Sequence, residues 1–238
     1  MKKLDVLHYG NDRLRVGTWR GDASIAYVAP LPGDALSDTT IDTCTRRLAA
    51  DGFGSALTSA LTVAEQEPFV RCGWTVRERL HLLRHHLGQL PAVGGVARGR
   101  MRRARWGDRT EMLDVDRAAF DAFWRFDEAG LADARSATPT VRVRVVDDGG
   151  VLAYAITGRA GPTGYLQRLA VHPDAAGQGL GTALVLDALH WSARRGADGV
   201  LVNTQESNRR AMELYLRLGF VPQPSGLAVL GIDLAAPA

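Results

Sequence analysis

At 238 residues the chain can hold one large or two small domains. An apolar fraction of 46% with 23% charged residues is that of an ordinary globular protein and excludes a disordered or fibrous one. A formal net charge of +3 is too small for strong nucleic-acid affinity, and the sequence has no apolar run of about 18 residues to serve as a membrane helix, so neither nucleic acid nor membrane is an expected partner.

In chain order, a strand-like run at residues 24–28 precedes a helical stretch at 40–50 that closes on Asp51-Gly52. A second apolar run covers 56–61. A weaker helical pattern at 63–71, interrupted by Pro68, ends at Gly73. Residues 87–99 carry Gly88, Pro91, Gly94, Gly95 and Gly99 without periodicity and read as a linker, which divides the chain into domains 1–97 and 98–238. Beyond the linker, 112–125 reads as an amphipathic helix and 128–134 as a shorter one. Val141, Val143 and Val145 alternate with Arg142 and Arg144 as in a half-buried strand, and Asp147-Asp148-Gly149-Gly150 turns the chain into a hairpin partner at 151–157. Strands at 164–171, 200–202 and 227–234 alternate with helices after Gly181 and over 208–218, and Phe220-Val221 is a short strand-like piece. This order predicts an α/β (α+β) chain with a mixed, mostly antiparallel sheet flanked by helices, and a smaller N-terminal α/β half.

The segment carrying the clearest chemistry is Val171-His172-Pro173-Asp174-Ala175-Ala176-Gly177-Gln178-Gly179-Leu180-Gly181-Thr182, between a strand and an amphipathic helix. Glycines permit positive φ and close approach of a ligand, and the unpaired N–H groups and dipole of a helix start favour a pyrophosphate. The chain has no Gly-Lys-Ser/Thr of a nucleotide P-loop, and its spacing is G-x-G-x-G instead of the dinucleotide G-x-G-x-x-G. Arginine far outnumbers lysine, and its planar fork suits phosphate-bearing ligands.

On Gln178-Gly179-Leu180-Gly181 and its flanking elements the sequence resembles the GNAT superfamily of acetyltransferases, well over 164–221 and by element order over about residues 100–238. Ala176 stands where the family's loop has its first long polar residue. The resemblance implies acetyl-CoA as co-substrate. It carries Leu169, Ala170 and Val171 over as the strand whose backbone binds pantetheine, and Gly177, Gln178, Gly179, Leu180, Gly181 and Thr182 as the pyrophosphate loop. Asn208 becomes a further cofactor ligand and Tyr215 the acid that protonates the departing thiolate. Asn208, Ala211, Met212 and Tyr215 fall on one helical face. Among the branches the likeness is greatest to protein-N-terminal alanine acetyltransferases, through Leu169-Ala170-Val171, Ser207-Asn208 and Leu214-Tyr215.

The implied activity is transfer of acetyl to a primary amine, on a small molecule or on a protein N-terminus or lysine, by direct attack in a ternary complex. Where that branch places a glutamate base this chain has Asn203, so Glu206 is the expected base, ahead of His172, Asp127 and Glu128. Asn203 also favours the alternative of a non-catalytic acetyl-CoA sensor or scaffold. A monomer or homodimer in the cytoplasm is expected, from a start, Met1-Lys2-Lys3, that meets charge before any apolar run, and from two cysteines, Cys44 and Cys72, without a C-x-x-C pairing.

The run Arg98, Arg100, Arg102, Arg103, Arg105 with Trp106 reads as a linker or the outer face of a first strand. His81, His85 and His86 suggest a metal because His81 and His85 share a helix face, but without the Glu of H-E-x-x-H or a third ligand nearby no metal is expected. Asp51-Gly52 followed by Phe69-Val70-Arg71-Cys72-Gly73-Trp74 echoes Asp198-Gly199 followed by Tyr215-Leu216-Arg217-Leu218-Gly219-Phe220. If this is a duplication, residues 1–97 resemble a worn second GNAT unit, as in tandem enzymes such as mycothiol synthase. With one glycine in Pro32-Gly33-Asp34-Ala35-Leu36-Ser37-Asp38 and Phe69 for the tyrosine, that half is expected to bind no acetyl-CoA.

Overall fold

In a computed structural model the chain is described over residues 5–31, 36–92 and 100–234. Contacts divide it into two compact units: Met1–Leu82 with Gln205–Ser207 and Gln223–Ala238, and Leu83–Thr204 with Asn208–Pro222. This division differs from the cut at 97 and 98 drawn from the glycine-rich linker. The C-terminal strand is the reason, because it pairs with N-terminal strands, a long-range match that no local signal carries.

In the first unit, β1 (Asp5–Tyr9), β2 (Asp12–Trp19) and β3 (Asp22–Pro30) form an antiparallel meander. β3 runs parallel to β4 (Ser55–Thr58), and β12 (Leu227–Asp233) is antiparallel to both β4 and β5 (Thr75–His85). Two helices accompany them. α1 (Asp38–Ala50) starts where the Ser37 side chain accepts the Thr40 amide, and α2 (Val63–Arg71) starts with a Thr62 and Glu65 capping box. Pro68 does not break α2: it forfeits one helical bond, while its ring is buried. Ile41, Leu48, Phe69 and Trp74 pack with Leu14 and Val28 to fill this core. The sequence reading missed β1, β2 and β5. For residues 75–85 the structure corrects the helical alternative behind the shared face of His81 and His85, since the segment is a strand.

In the second unit the strand order is β6 (Met101–Arg103), β7 (Thr140–Asp147), β8 (Val151–Ala160), β9 (Thr163–Val171) and β10 (Gly199–Gln205), antiparallel from β6 to β9 and parallel between β9 and β10. β11 (Val221–Pro222) pairs with the end of β5. Successive residues of β8 point to opposite faces. Tyr154 and Ile156 join Met112, Val115 and Leu131 from α3 (Arg109–Ala119) and α4 (Glu128–Ser136), whereas Ala153 and Ala155 join the cluster of α5 (Leu180–Arg194) and α6 (Arg209–Arg217). The result is a mixed, largely antiparallel sheet flanked by helices.

Because both faces are covered, Arg142 and Arg144 do not point to open solvent: they pair with Asp187 of α5. The predicted helix at 112–125 divides, with α3 ending at Ala119 and a short 3-10 turn at Ala122–Trp124. In the arginine-rich run, Arg100 pairs with Asp148 and Arg102 with Asp108 and Asp147, while Arg98 and most of the predicted linker lie outside the described residues. No helix among the described residues is long and apolar enough to cross a membrane.

Candidate functional site

The site begins with a strand pair that comes apart. β9 and β10 pair through Thr163, Gly164 and Tyr165 with Gly199, Val200 and Leu201, yet β9 continues to Val171 and β10 to Gln205. At the closed end a Cβ on Gly164 would lie 2.8 Å from Ser192 Oγ and 3.0 Å from Val200 Cγ2, so only glycine lets the strands and α5 approach there. Past Tyr165 the backbone of β9 has no ladder partner on this side, which leaves Leu169, Ala170 and Val171 on an open edge with donors and acceptors to satisfy.

A bulge aims that edge. Against β8, Leu166 faces Thr157 and Arg168 faces Ile156, so Gln167 is the extra residue. The bulge switches faces: Leu166 joins the α5 and α6 core, whereas Ala170 joins the α3 and α4 core.

Beyond β9 lies the glycine loop. Gly177 and Gly179 have φ of +79° and +77°, and a Cβ on either would meet nothing within 4 Å, so the loop presents its backbone to open space. Gly179 is the N-cap of α5 and has no side chain to accept from the first turn. The first helical bond runs from Ala183 N–H to the Gly179 carbonyl, so the amides of Leu180, Gly181 and Thr182 precede it. Gln178 is exposed, and Leu180 is buried in the core. The loop thus suits an anion, through backbone N–H groups and the helix dipole.

α6 supplies the third part. Asn208 is its N-cap, with Oδ1 accepting the Ala211 amide at 3.0 Å, which leaves the side-chain NH2 as the group able to meet a ligand. One face of the helix packs inward through Ala211, Met212 and Tyr215. The Tyr215 ring lies 5.4 Å from that of Phe220, which in turn lies 5.1 Å from His85. Burial pushes the Tyr215 phenol well above its ordinary range, opposed by the positive charge of Arg168, so it carries its proton at neutral pH. Glu206 is exposed in the turn after β10 and is grouped with the first compact unit. Asn203 is exposed on β10.

Sequence reasoning missed a buried, heavily hydrogen-bonded carboxylate in this unit. Asp116 of α3, fully buried, accepts from Arg168 Nε at 2.7 Å, Arg168 Nη2 at 2.6 Å, Tyr154 Oη at 2.5 Å and the Phe126 amide at 2.7 Å. Asp116 is four residues from Met112 and three from Leu113, a spacing that puts it on the apolar face of the helix, a signal of a buried carboxylate that the sequence reading did not use. The bulge at Gln167, invisible in the sequence, turns Arg168 toward it.

Neither cysteine competes as a nucleophile. Both are free, and burial pushes each thiol up to about 11. Among the described residues no three His, Cys, Asp or Glu side chains gather as a metal site.

Comparison with known proteins matches the Acetyltransferase (GNAT) family over residues 101–220. A mycothiol acetyltransferase from a Nocardioides species is 33% identical over 189 residues, covering 68% of this chain and 62% of its own length, so the chain spans less than two thirds of that relative. Two solved structures share the fold at 16% identity. A tandem GNAT protein from the clavulanic acid biosynthesis pathway superposes with a TM-score of 0.66 over 98% of this chain and 82% of its own. A GCN5-related N-acetyltransferase from Kribbella flavida gives 0.64 over 98% and 90%.

Proposed function

The chain belongs to the acetyltransferase (GNAT) family, and we propose that it moves acetyl from acetyl-CoA to a primary amine by direct attack in a ternary complex. The observation that carries this reading is the open edge of β9 leading directly into an uncapped, glycine-lined helix start. Acetyl-CoA, when bound, supplies an activated thioester. The amides of residues 177–182 hold its pyrophosphate, the backbone of Leu169, Ala170 and Val171 holds the pantetheine arm, and the Asn208 amide group adds a donor.

The chain's own residues then divide the proton work. A protonated amine is not a nucleophile, so Glu206, directly or through water, takes the amine proton. Backbone N–H groups of the open edge stabilise the oxyanion as the C–N bond forms. Tyr215 Oη delivers its proton to the sulfur as the C–S bond breaks, and the raised phenol range keeps that proton available.

The first unit repeats this plan without the opening. It too has helix, strand, helix, then a glycine of positive φ, Gly73 at +85° against Gly219 at +86°, with an aromatic pair, Phe69 and Trp74, bracketing it. Its parallel strands, however, stay zipped from Ile25 and Ser55 to Val28 and Thr58, and the Ser59 amide adds a bond to the Val28 carbonyl. In our reading residues 1–97 are a worn GNAT-like unit that takes no acetyl-CoA, and 98–238 form the catalytic domain. Residues 32–35, where a loop would stand, lie outside the described residues. The two free cysteines support a cytoplasmic setting.

The acceptor is a small-molecule amine or a protein N-terminus or lysine, and the name of the Nocardioides relative makes a mycothiol-related amine the first to try. The test is release of free CoA thiol from purified protein across an amine panel. Turnover with one of these amines supports the enzyme. Tight acetyl-CoA binding without turnover supports the sensor reading that Asn203 favours.

A further inference from the structure

We infer that Arg168 is a positioning residue for the acceptor side of this site, holding the segment between α3 and α4 against β9; the inference rests on the acetyl-transfer reading above. The cofactor loop and α6 belong to the face of the sheet that carries Leu166, Leu169 and Val171. A nucleophile meeting a thioester on the open edge of β9 must come from the side that the cofactor leaves free, which is the face of α3 and α4.

Arg168 is where that face is tied down. It immediately precedes Leu169, and the bulge at Gln167 points it away from α5. Its guanidinium lies 3.5 Å from the Phe120 ring centroid and 3.9 Å from that of Phe126, a cation between two aromatic rings. Nη2 donates to the Trp124 carbonyl at 2.7 Å as well as to Asp116. One side chain therefore contacts Asp116 in the last turn of α3, its C-cap Phe120, Trp124 of the 3-10 turn and Phe126 two residues beyond it. The segment has little else of regular structure: between Ala119 and Glu128 there is one 3-10 turn. Arginine alone fits this role, because the contacts need a flat fork with separate donors for a carboxylate and a carbonyl.

A purely structural ion pair and a positioning one separate experimentally. Removing Arg168 alone would strand a buried Asp116 carboxylate, so the pair is removed together with its hydroxyl partner, as Arg168→Met, Asp116→Leu and Tyr154→Phe in one chain, beside the conservative Arg168→Lys. In the triple variant we expect acetyl-CoA affinity within about threefold of the parent, amides of residues 120–127 exchanging about tenfold faster or more, and KM for the amine about tenfold higher with kcat within about threefold. Arg168→Lys should recover part of the KM loss.

A lowered Tm with exchange and amine KM both unchanged would make the group an ordinary core pair and overturn the inference. Equal loss of acetyl-CoA affinity would overturn it too. If the parent turns over no amine, acetyl transfer itself fails as a reading. The exchange measurement needs no turnover: because Asp116 also accepts the Phe126 amide, the triple variant reports on the Arg168–Asp116 pair, and Arg168→Lys, which keeps that carboxylate, reports on the guanidinium alone, so unchanged exchange in Arg168→Lys with fast exchange in the triple variant would overturn the role of Arg168.

Discussion

Tyr215 and Phe220 are bound twice over: the Phe220 amide donates to the Tyr215 carbonyl at 3.0 Å, and their rings lie 5.4 Å apart. The last turn of α6 and the strand after it thereby fix where the phenol sits. The first unit has the same device, with the Trp74 amide on the Phe69 carbonyl at 3.0 Å and rings 5.2 Å apart, but no hydroxyl. Tyr215→Phe makes the second unit like the first at this point. It should leave stability within about 1 kcal/mol and acetyl-CoA affinity nearly unchanged, while turnover falls about 100-fold or more. Because the phenol range is raised, the parent's basic limb below the ordinary phenol range must come from another group and should persist in the variant's residual activity. Steady-state rates across pH for both proteins check this.

The loop itself offers a gain-of-affinity test. Ala176 stands before Gly177 and is only half-buried, where the family has a long polar side chain. Ala176→Arg should tighten acetyl-CoA binding about tenfold, the worth of one charge-assisted hydrogen bond to a phosphate, and the gain should shrink as salt rises. Titrations at two ionic strengths measure it.

His85 gives the second unit a pH-dependent stability. Burial holds its imidazole below the ordinary histidine range, and Nδ1 accepts the Leu87 amide at 2.9 Å, a bond that protonation removes. A base whose folded pKa is depressed contributes stability that is complete above its unfolded pKa and is lost as pH falls from there through the folded value. The thermal unfolding temperature should therefore fall from about pH 6.5 downward. The lowered carboxylates, Asp12, Asp38 and Asp108 among them, lose their contributions only below the ordinary carboxylate range. His85→Gln should flatten the histidine part of the profile and leave the acid limb in place.

Much of the second unit was legible because its signals are local. Alternation of Val141, Val143 and Val145, the turn at 147–150, the glycines at 177, 179 and 181 and the helix stop at Gly219 each act within a few residues. What escaped depends on partners far along the chain. β5 carries Arg77, Arg79 and Arg84 among its apolar positions, so its pattern does not alternate cleanly, and its register is set by β12 about 150 residues away. The spacing of Asp116 from Met112 and Leu113 marks the apolar face of its helix but names no partner, Arg168 looks solvated in its own segment, and only the bulge at Gln167 brings them together. Glu206 lies three residues from Asn203 in sequence, and sequence nearness does not tell which compact unit a turn joins.

The most direct test of the central claim is calorimetric titration of the parent and Gly179→Ala with acetyl-CoA. One equivalent should bind per chain and be lost or weakened about tenfold or more in the variant, in which an alanine must adopt a left-handed φ at a cost of about 1–2 kcal/mol and crowd the cradle. No heat of binding up to millimolar acetyl-CoA, or two equivalents that Gly179→Ala leaves intact, would contradict it.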